Sequence, residues 1–180
     1  MGALEFIPPT SAAMETSFKV EIDQLSNLAQ TMLTQAKDFK AQLSPDLIVE
    51  SLFRVGTSAG GRRPKALINV NPESGECYSG QVATELPGFI PMIIKFDEHI
   101  DLPTTRIEYA YYLMAQQAGL RMMPSRLLEG KDEVHFLTQR FDRNGNEKLH
   151  VQTLAAMDPH STSYEELFVV CLLYTSPSPR

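Results

Sequence analysis

From Lys19 to Leu43 the residues Ile22, Leu25, Leu28, Met32, Phe39 and Leu43 recur at the spacing of one helix face, which predicts an amphipathic helix. A shorter helix is predicted in SPDLIVESLFRVG, with Ser44 as N-cap, Pro45 at the first helical position and Gly56 past the end. The pattern then changes to alternation. KALINVN (Lys65 to Asn71) and PMIIKFD (Pro91 to Asp97) read as strands, and NPESGECYSG between them reads as a turn leading into a partner strand. TTRIEYAYYLMAQQAGL places Ile107, Tyr111, Met114 and Ala118 on one stripe and stops at Gly119, which predicts a helix packed on the sheet through that stripe. SRLLEGKDEVHFLTQRFD makes a hairpin around Gly130-Lys131-Asp132, RNGNEKLHVQ turns at Asn144-Gly145, and a helical segment is expected from near His150. MGALEFIPP, an apolar run stopped by two prolines, reads as the tail of a strand. There is no internal repeat, and helices mixed with alternating strands define an α+β class.

Composition narrows what such a domain does. A chain of 180 residues with 43% apolar content can bury a proper core, and a net charge of −6 argues against a surface built to neutralise nucleic-acid phosphates. Any basic site must be local, and no direct nucleic-acid binding is expected. Cys77 and Cys171 give neither a disulfide framework nor a metal spacing, and His99, His135, His150 and His160 are scattered, so no metal site is expected. The start lacks a signal-peptide pattern and no apolar run approaches a membrane span, so a soluble cytoplasmic protein is expected.

Two places carry candidate chemistry. RVGTSAGGRRPK sets a Gly-Gly hinge beside Arg62, Arg63 and Lys65. It is neither a Walker A loop, which would place Lys and Ser/Thr after its last glycine and lead into a helix, nor a GxGxxG fingerprint. Its backbone N–H groups could turn toward an anion, or it could be a polar turn ahead of a strand. In PMIIKFD, alternation puts Ile93 and Lys95 on one face and Met92, Ile94 and Phe96 on the other. Both faces are largely apolar, so Lys95 needs a partner, and Glu108 on the following helix offers one. The plain alternative is a lysine snorkelling to solvent beside an unrelated surface glutamate.

Ser58-Ala59-Gly60-Gly61-Arg62-Arg63-Pro64-Lys65-Ala66-Leu67, Ile93-Ile94-Lys95-Phe96, Glu108-Tyr109-Ala110-Tyr111-Tyr112-Leu113 and Gln139-Arg140-Phe141-Asp142-Arg143 together resemble the HipA family. These are serine/threonine kinases acting as toxins of type II toxin–antitoxin pairs, and the resemblance spans roughly Met1 to Val170. It implies a protein-kinase-like amino-terminal lobe, an antiparallel sheet with one packed helix, preceded by helices. By that resemblance Ser58 to Lys65, with Gly60 and Gly61, is the phosphate loop, and Ser58 is the autophosphorylated off-switch. Lys95 is the ATP lysine, Glu108 its helix partner, and the backbone of Gln139 and Phe141 meets the adenine edge. Family members often carry Glu where Gln139 stands, a change that a backbone contact tolerates. Asp142 and Arg143 are read as bracing the linker. The cofactors implied are ATP and Mg, and the partners are a helix-turn-helix antitoxin and a protein of the translation machinery.

The family's helical lobe, with an Asp…Asn catalytic loop and a metal-binding Asp, has no counterpart here. The chain alone is therefore expected to have no kinase activity, because the catalytic base and the Mg ligands are missing. Asp158 and the Glu165-Glu166 pair are read as helix-capping and surface charges. CLLYTSPSPR resembles a translated sequencing adapter with no helix or strand signal, so native sequence is expected to stop near Val170 and the chain to be a fragment. The resulting division is 1–18 as the tail of a preceding segment, 19–56 helical, 57–150 the kinase-like lobe, 151–170 the start of the helical lobe and 171–180 non-native. Without that lobe, Phe141, Leu149, Leu154 and Leu167 are expected to be more exposed than their apolar character favours. Three functions compete: the ATP-binding lobe of a kinase toxin, a non-catalytic nucleotide-binding or antitoxin-interaction module, and an unrelated α+β domain.

Overall fold

The computed structural model describes residues 19–35, 63–80, 87–97, 102–130, 133–145 and 147–175. The predicted helix at Ser44 to Gly56, the Gly60-Gly61 loop with Ser58, and the segment before Lys19 lie outside the described residues.

Five strands form one antiparallel sheet: β1 (Lys65–Val70), β2 (Cys77–Ser79), β3 (Ile90–Lys95), β4 (Ser125–Glu129) and β5 (Val134–Gln139), in the order β2-β1-β3-β5-β4. The α+β class and its antiparallel sheet are as expected. Central β3 pairs Ile94 with Ala66 on one side and with Leu137 on the other. The β1–β2 connection turns on Asn71, whose side-chain oxygen accepts from the N–H groups of Glu73 (2.9 Å) and Ser74 (3.1 Å), and on Gly75 at φ 74°. At the end of β2 only glycine fits: a Cβ on Gly80 would meet the Ile68 nitrogen at 2.7 Å.

Alternation divides the sheet into two faces. One carries Ala66, Ile68, Val70, Met92, Ile94, Phe96 and Leu137, all buried, against α1 (Ile22–Gln35) through Leu25 and Ala29. The other carries Lys65, Ile93, Lys95, Phe136 and Thr138 and holds α2 (Thr104–Gln117). The sheet thus has a helix on each face, one more than the single packed helix expected.

The face that α2 presents differs from the predicted one. Ile107, Tyr111 and Met114 of the expected stripe are 43%, 67% and 61% exposed, while Thr104, Thr105 and Tyr112 are buried. Polar anchors set the helix's rotation. Thr105 donates its backbone N–H (2.8 Å) to the Asp97 carboxylate just past β3, and its hydroxyl shares one hydrogen between that carboxylate (3.0 Å) and the Val134 carbonyl (2.8 Å). Thr104 adds a 2.6 Å bond to Asp97, so that carboxylate caps a helix whose own N-cap, Pro103, makes no side-chain bond.

After β5 come a short hairpin, β6 (Arg143–Asn144) with β7 (Glu147–Lys148), and two helices, α3 (Leu154–Met157) and α4 (Tyr164–Thr175). The hairpin turns at Gly145, φ 58°, as predicted. The helix expected near His150 starts at Leu154, where Thr153 accepts the Ala156 N–H at 3.2 Å. Glu166 closes a capping box with Ser163 at the start of α4, its carboxylate accepting the Ser163 N–H (2.9 Å) while the Ser163 hydroxyl accepts from the Glu166 N–H (3.2 Å). Asp158 accepts from the His160 N–H and the Ser161 hydroxyl. Both carboxylates act locally, as read. α4 continues to Thr175, which corrects the expectation that helical signal ends at Val170, because Leu172 and Leu173 are strong helix formers. Phe141 and Leu149 are exposed as expected, whereas Leu154 and Leu167 are half-buried.

Candidate functional site

The face of the sheet opposite α1 opens into a cleft of about 1550 Å³. Lys65, Lys95, Glu108, Gln139 and Phe141, predicted on separate elements, all line it. Lys65 and Lys95 are register partners on β1 and β3. Lys95 forms an ion pair with Glu108 of α2, and its ammonium lies 5.4 Å from the centre of the Phe136 ring. The pair is 25% and 29% exposed, sheltered but open to a ligand in the cleft. Arg63 approaches the other Glu108 oxygen at 3.9 Å. Burial, and next the like charge of Lys95, push the Lys65 ammonium below the ordinary lysine range, while Glu108 pulls the other way.

Arg63, Lys65, Lys95 and Arg121 face a single carboxylate, Glu108, among the described residues of the cleft wall. In a chain of net charge −6, this concentrates the opposite sign where the walls are otherwise apolar. Such a site suits an elongated anion with an apolar or aromatic end.

The inner wall is the end of β5 and the linker after it. Gln139 donates its N–H to the Pro124 carbonyl (2.9 Å), and Pro124 has no N–H with which to return the bond to the Gln139 carbonyl. The next N–H, of Arg140, goes to the Pro91 carbonyl (3.0 Å). Asp142 holds Arg140 through two bonds of 2.8 Å, to Nε and to an Nη, and accepts from Arg143 at 3.0 Å. Arg140 also reaches the Gly80 carbonyl at 3.4 Å. Burial disfavours the Asp142 carboxylate, but the Arg140 bonds and charge, with Arg143, outweigh it and hold the carboxyl below its usual range. Asp142 and Arg143 therefore brace the linker, as read from the sequence.

Arg121, Met122, Ser125 and Thr138 also line the cleft and were not singled out. For Thr138 a signal existed: it shares the alternation of Phe136 and so faces away from the core. Arg121 and Met122 belong to the α2–β4 connection, where no period guides a reading. Among the described residues no group of His, Cys, Asp and Glu could hold a metal ion, and no helix is long and apolar enough to cross a membrane.

Residues 57–179 match the family model for the HipA-like C-terminal domain, and the chain belongs to that family. The match contains the sheet, the cleft and both linker arginines. No individual curated protein and no solved structure matches the chain.

Proposed function

We propose that this chain is the ATP-binding lobe of a HipA-like serine/threonine protein kinase, a toxin of a type II toxin–antitoxin system. The observation that carries the reading is the Lys95–Glu108 ion pair, joining a central strand to α2 at a cationic cleft. A lysine fixed by a helix glutamate is how kinase-like folds position the α- and β-phosphates of ATP. In this reading Lys95 holds those phosphates, Lys65 adds charge beside it, and Glu108 stops the two lysines from drawing the phosphates out of line. The adenine edge lies against the linker, where the Gln139 carbonyl accepts from the 6-amino group and the Phe141 N–H donates to the ring. The missing Pro124 donor supports that role for the carbonyl.

The loop with Gly60 and Gly61 covers the phosphates in the same proposal, and phosphorylation of Ser58 ejects it by competing for Lys95 and the loop's N–H groups. Mg·ATP as phosphoryl donor, a protein of the translation machinery as acceptor, and a helix-turn-helix antitoxin as restraint rest on the family resemblance. Among the described residues no cluster of three or more His, Cys, Asp or Glu side chains could hold Mg.

Calorimetric titration with ATP tests the reading. The unaltered chain should bind, and Lys95→Ala should lose about a hundredfold in affinity, the scale of one charge-assisted phosphate contact, while its melting temperature stays nearly constant. Equal affinity for ATP in Lys95→Ala overturns the proposal.

A further inference from the structure

At the back of the cleft, between β4 and β5, two hydroxyl groups sit in one short chain. Ser125 and Thr138 are register partners with their oxygens 2.9 Å apart, and the Ser125 oxygen lies 3.0 Å from the Met123 carbonyl. Counting hydrogens fixes the direction. The Met123 carbonyl only accepts, and each hydroxyl has one hydrogen to give. Both contacts are satisfied only if Ser125 donates to Met123 and Thr138 donates to Ser125. The reverse arrangement makes one bond and leaves the carbonyl without this donor. Thr138 therefore has spent its hydrogen and presents lone pairs to the cleft.

The next residue along the same wall is Gln139, whose carbonyl gets no N–H from Pro124. Two acceptors on consecutive residues suit a ligand edge that carries two hydrogens on one atom. An exocyclic amine does, and a ring carbonyl, itself an acceptor, meets both unfavourably.

The geometry points to Thr138, its hydroxyl locked by Ser125 and the Met123 carbonyl, as the residue that makes this cleft select a 6-aminopurine over a 6-oxopurine. The inference rests on the nucleotide reading of the cleft and adds to it a side chain that reads the base. Thr138 is a specificity-determining residue: its contact is with the base and not with the phosphates.

Three ligands separate the possibilities: ATP, GTP and the 5′-triphosphate of purine riboside, which lacks the 6-amino group. In calorimetric titrations of the full chain, Thr138→Val keeps the β-branched shape and loses the acceptor. It should weaken ATP by roughly tenfold, the scale of one hydrogen bond with its desolvation, and leave the amine-free analogue unchanged. Thr138→Ser should restore the parent preference. Ser125→Ala frees the Thr138 hydrogen to turn toward the cleft, so GTP should gain relative to ATP. If the unaltered chain binds ATP and Thr138→Val keeps the parent ATP-to-analogue ratio, the role of Thr138 is overturned while the nucleotide reading stands. If the unaltered chain binds none of the three, the reading and the inference fall together.

Discussion

The two faces of one sheet carry opposite assignments. Toward α1, Ala66, Ile68, Val70, Met92, Ile94 and Leu137 are buried and apolar, Ile90 and Leu128 pack partly buried against them, and the polar residues of that face include Ser79, Arg126 and His135. Toward α2, the same strands alternate cation, aliphatic residue, aromatic ring and hydroxyl, and several of these side chains remain half-exposed. Hydrophobic burial is non-directional and tolerates any close-packed arrangement, so the first face can hold the fold without fixing any one atom. The second face fixes atoms through ion pairs and hydrogen bonds, each of small net stability. One face supplies free energy and the other supplies position, and period two lets six-residue strands serve both.

The sharpest way to break this division is to truncate each face in turn. Leu137→Ala, at a residue with no exposed surface, should cost about 3 kcal/mol in urea unfolding, from lost transfer and a cavity. Equal losses from Leu137→Ala and from Ile93→Ala on the cleft face would end the distinction. Next in size is Asp142→Ala, which leaves the buried Arg140 guanidinium without its carboxylate. A loss of roughly 1 to 2 kcal/mol is expected, below that of a fully buried pair because Asp142 is 18% exposed. Lowering pH should mimic that change only in strong acid, since the Asp142 carboxyl titrates below its ordinary value and its contribution persists until pH falls through the folded value.

His135 gives the next test, on the core face itself. It is buried against the Phe96 ring at 4.9 Å, and neither ring nitrogen has a hydrogen-bond partner among the described residues. Burial lowers its pKa from 6.5, against the pull of Glu133, Asp97 and Asp23, so the folded protein keeps the neutral ring while the unfolded chain takes up a proton. Stability should therefore be intact above pH 6.5, fall as pH drops through that value, and level off below the folded pKa. In His135→Leu the fall between pH 7.5 and 5 should shrink; an unchanged slope would assign it elsewhere. The smallest effect is expected for Ile93→Ala, under about 1 kcal/mol, because its site is half-open and can relax.

What could be read from the sequence follows the same division. The division of β3 into two faces is plain, since Met92, Ile94 and Phe96 alternate with Ile93 and Lys95, but both faces are largely apolar and only the packing of α1 decides which one is the core. Lys95 with Glu108 was legible as a need, a cation among apolar neighbours, and as a motif. The rotation of α2 was not. Its apolar stripe pointed one way, while Asp97, Thr105 and Glu108 turned it another, and such anchors act between segments whose approach no local period encodes. The Ser125–Thr138 contact was hidden for the same reason: it exists only once the β4–β5 register is set, and a one-residue slip would abolish it. The Gly60-Gly61 loop and Ser58 lie outside the described residues, so their part of the reading rests on resemblance.

Arg140 has a mechanical consequence. Its backbone is tied to Pro91 at the start of β3, its guanidinium to Gly80 at the exit of β2, and its charge to Asp142 in the linker. One residue thus laces the ends of β5, β3 and β2 across the intervening β1. A linker fastened this way cannot swing as a free joint. Loss of this one residue would therefore unfasten the linker from β3 and β2 at once.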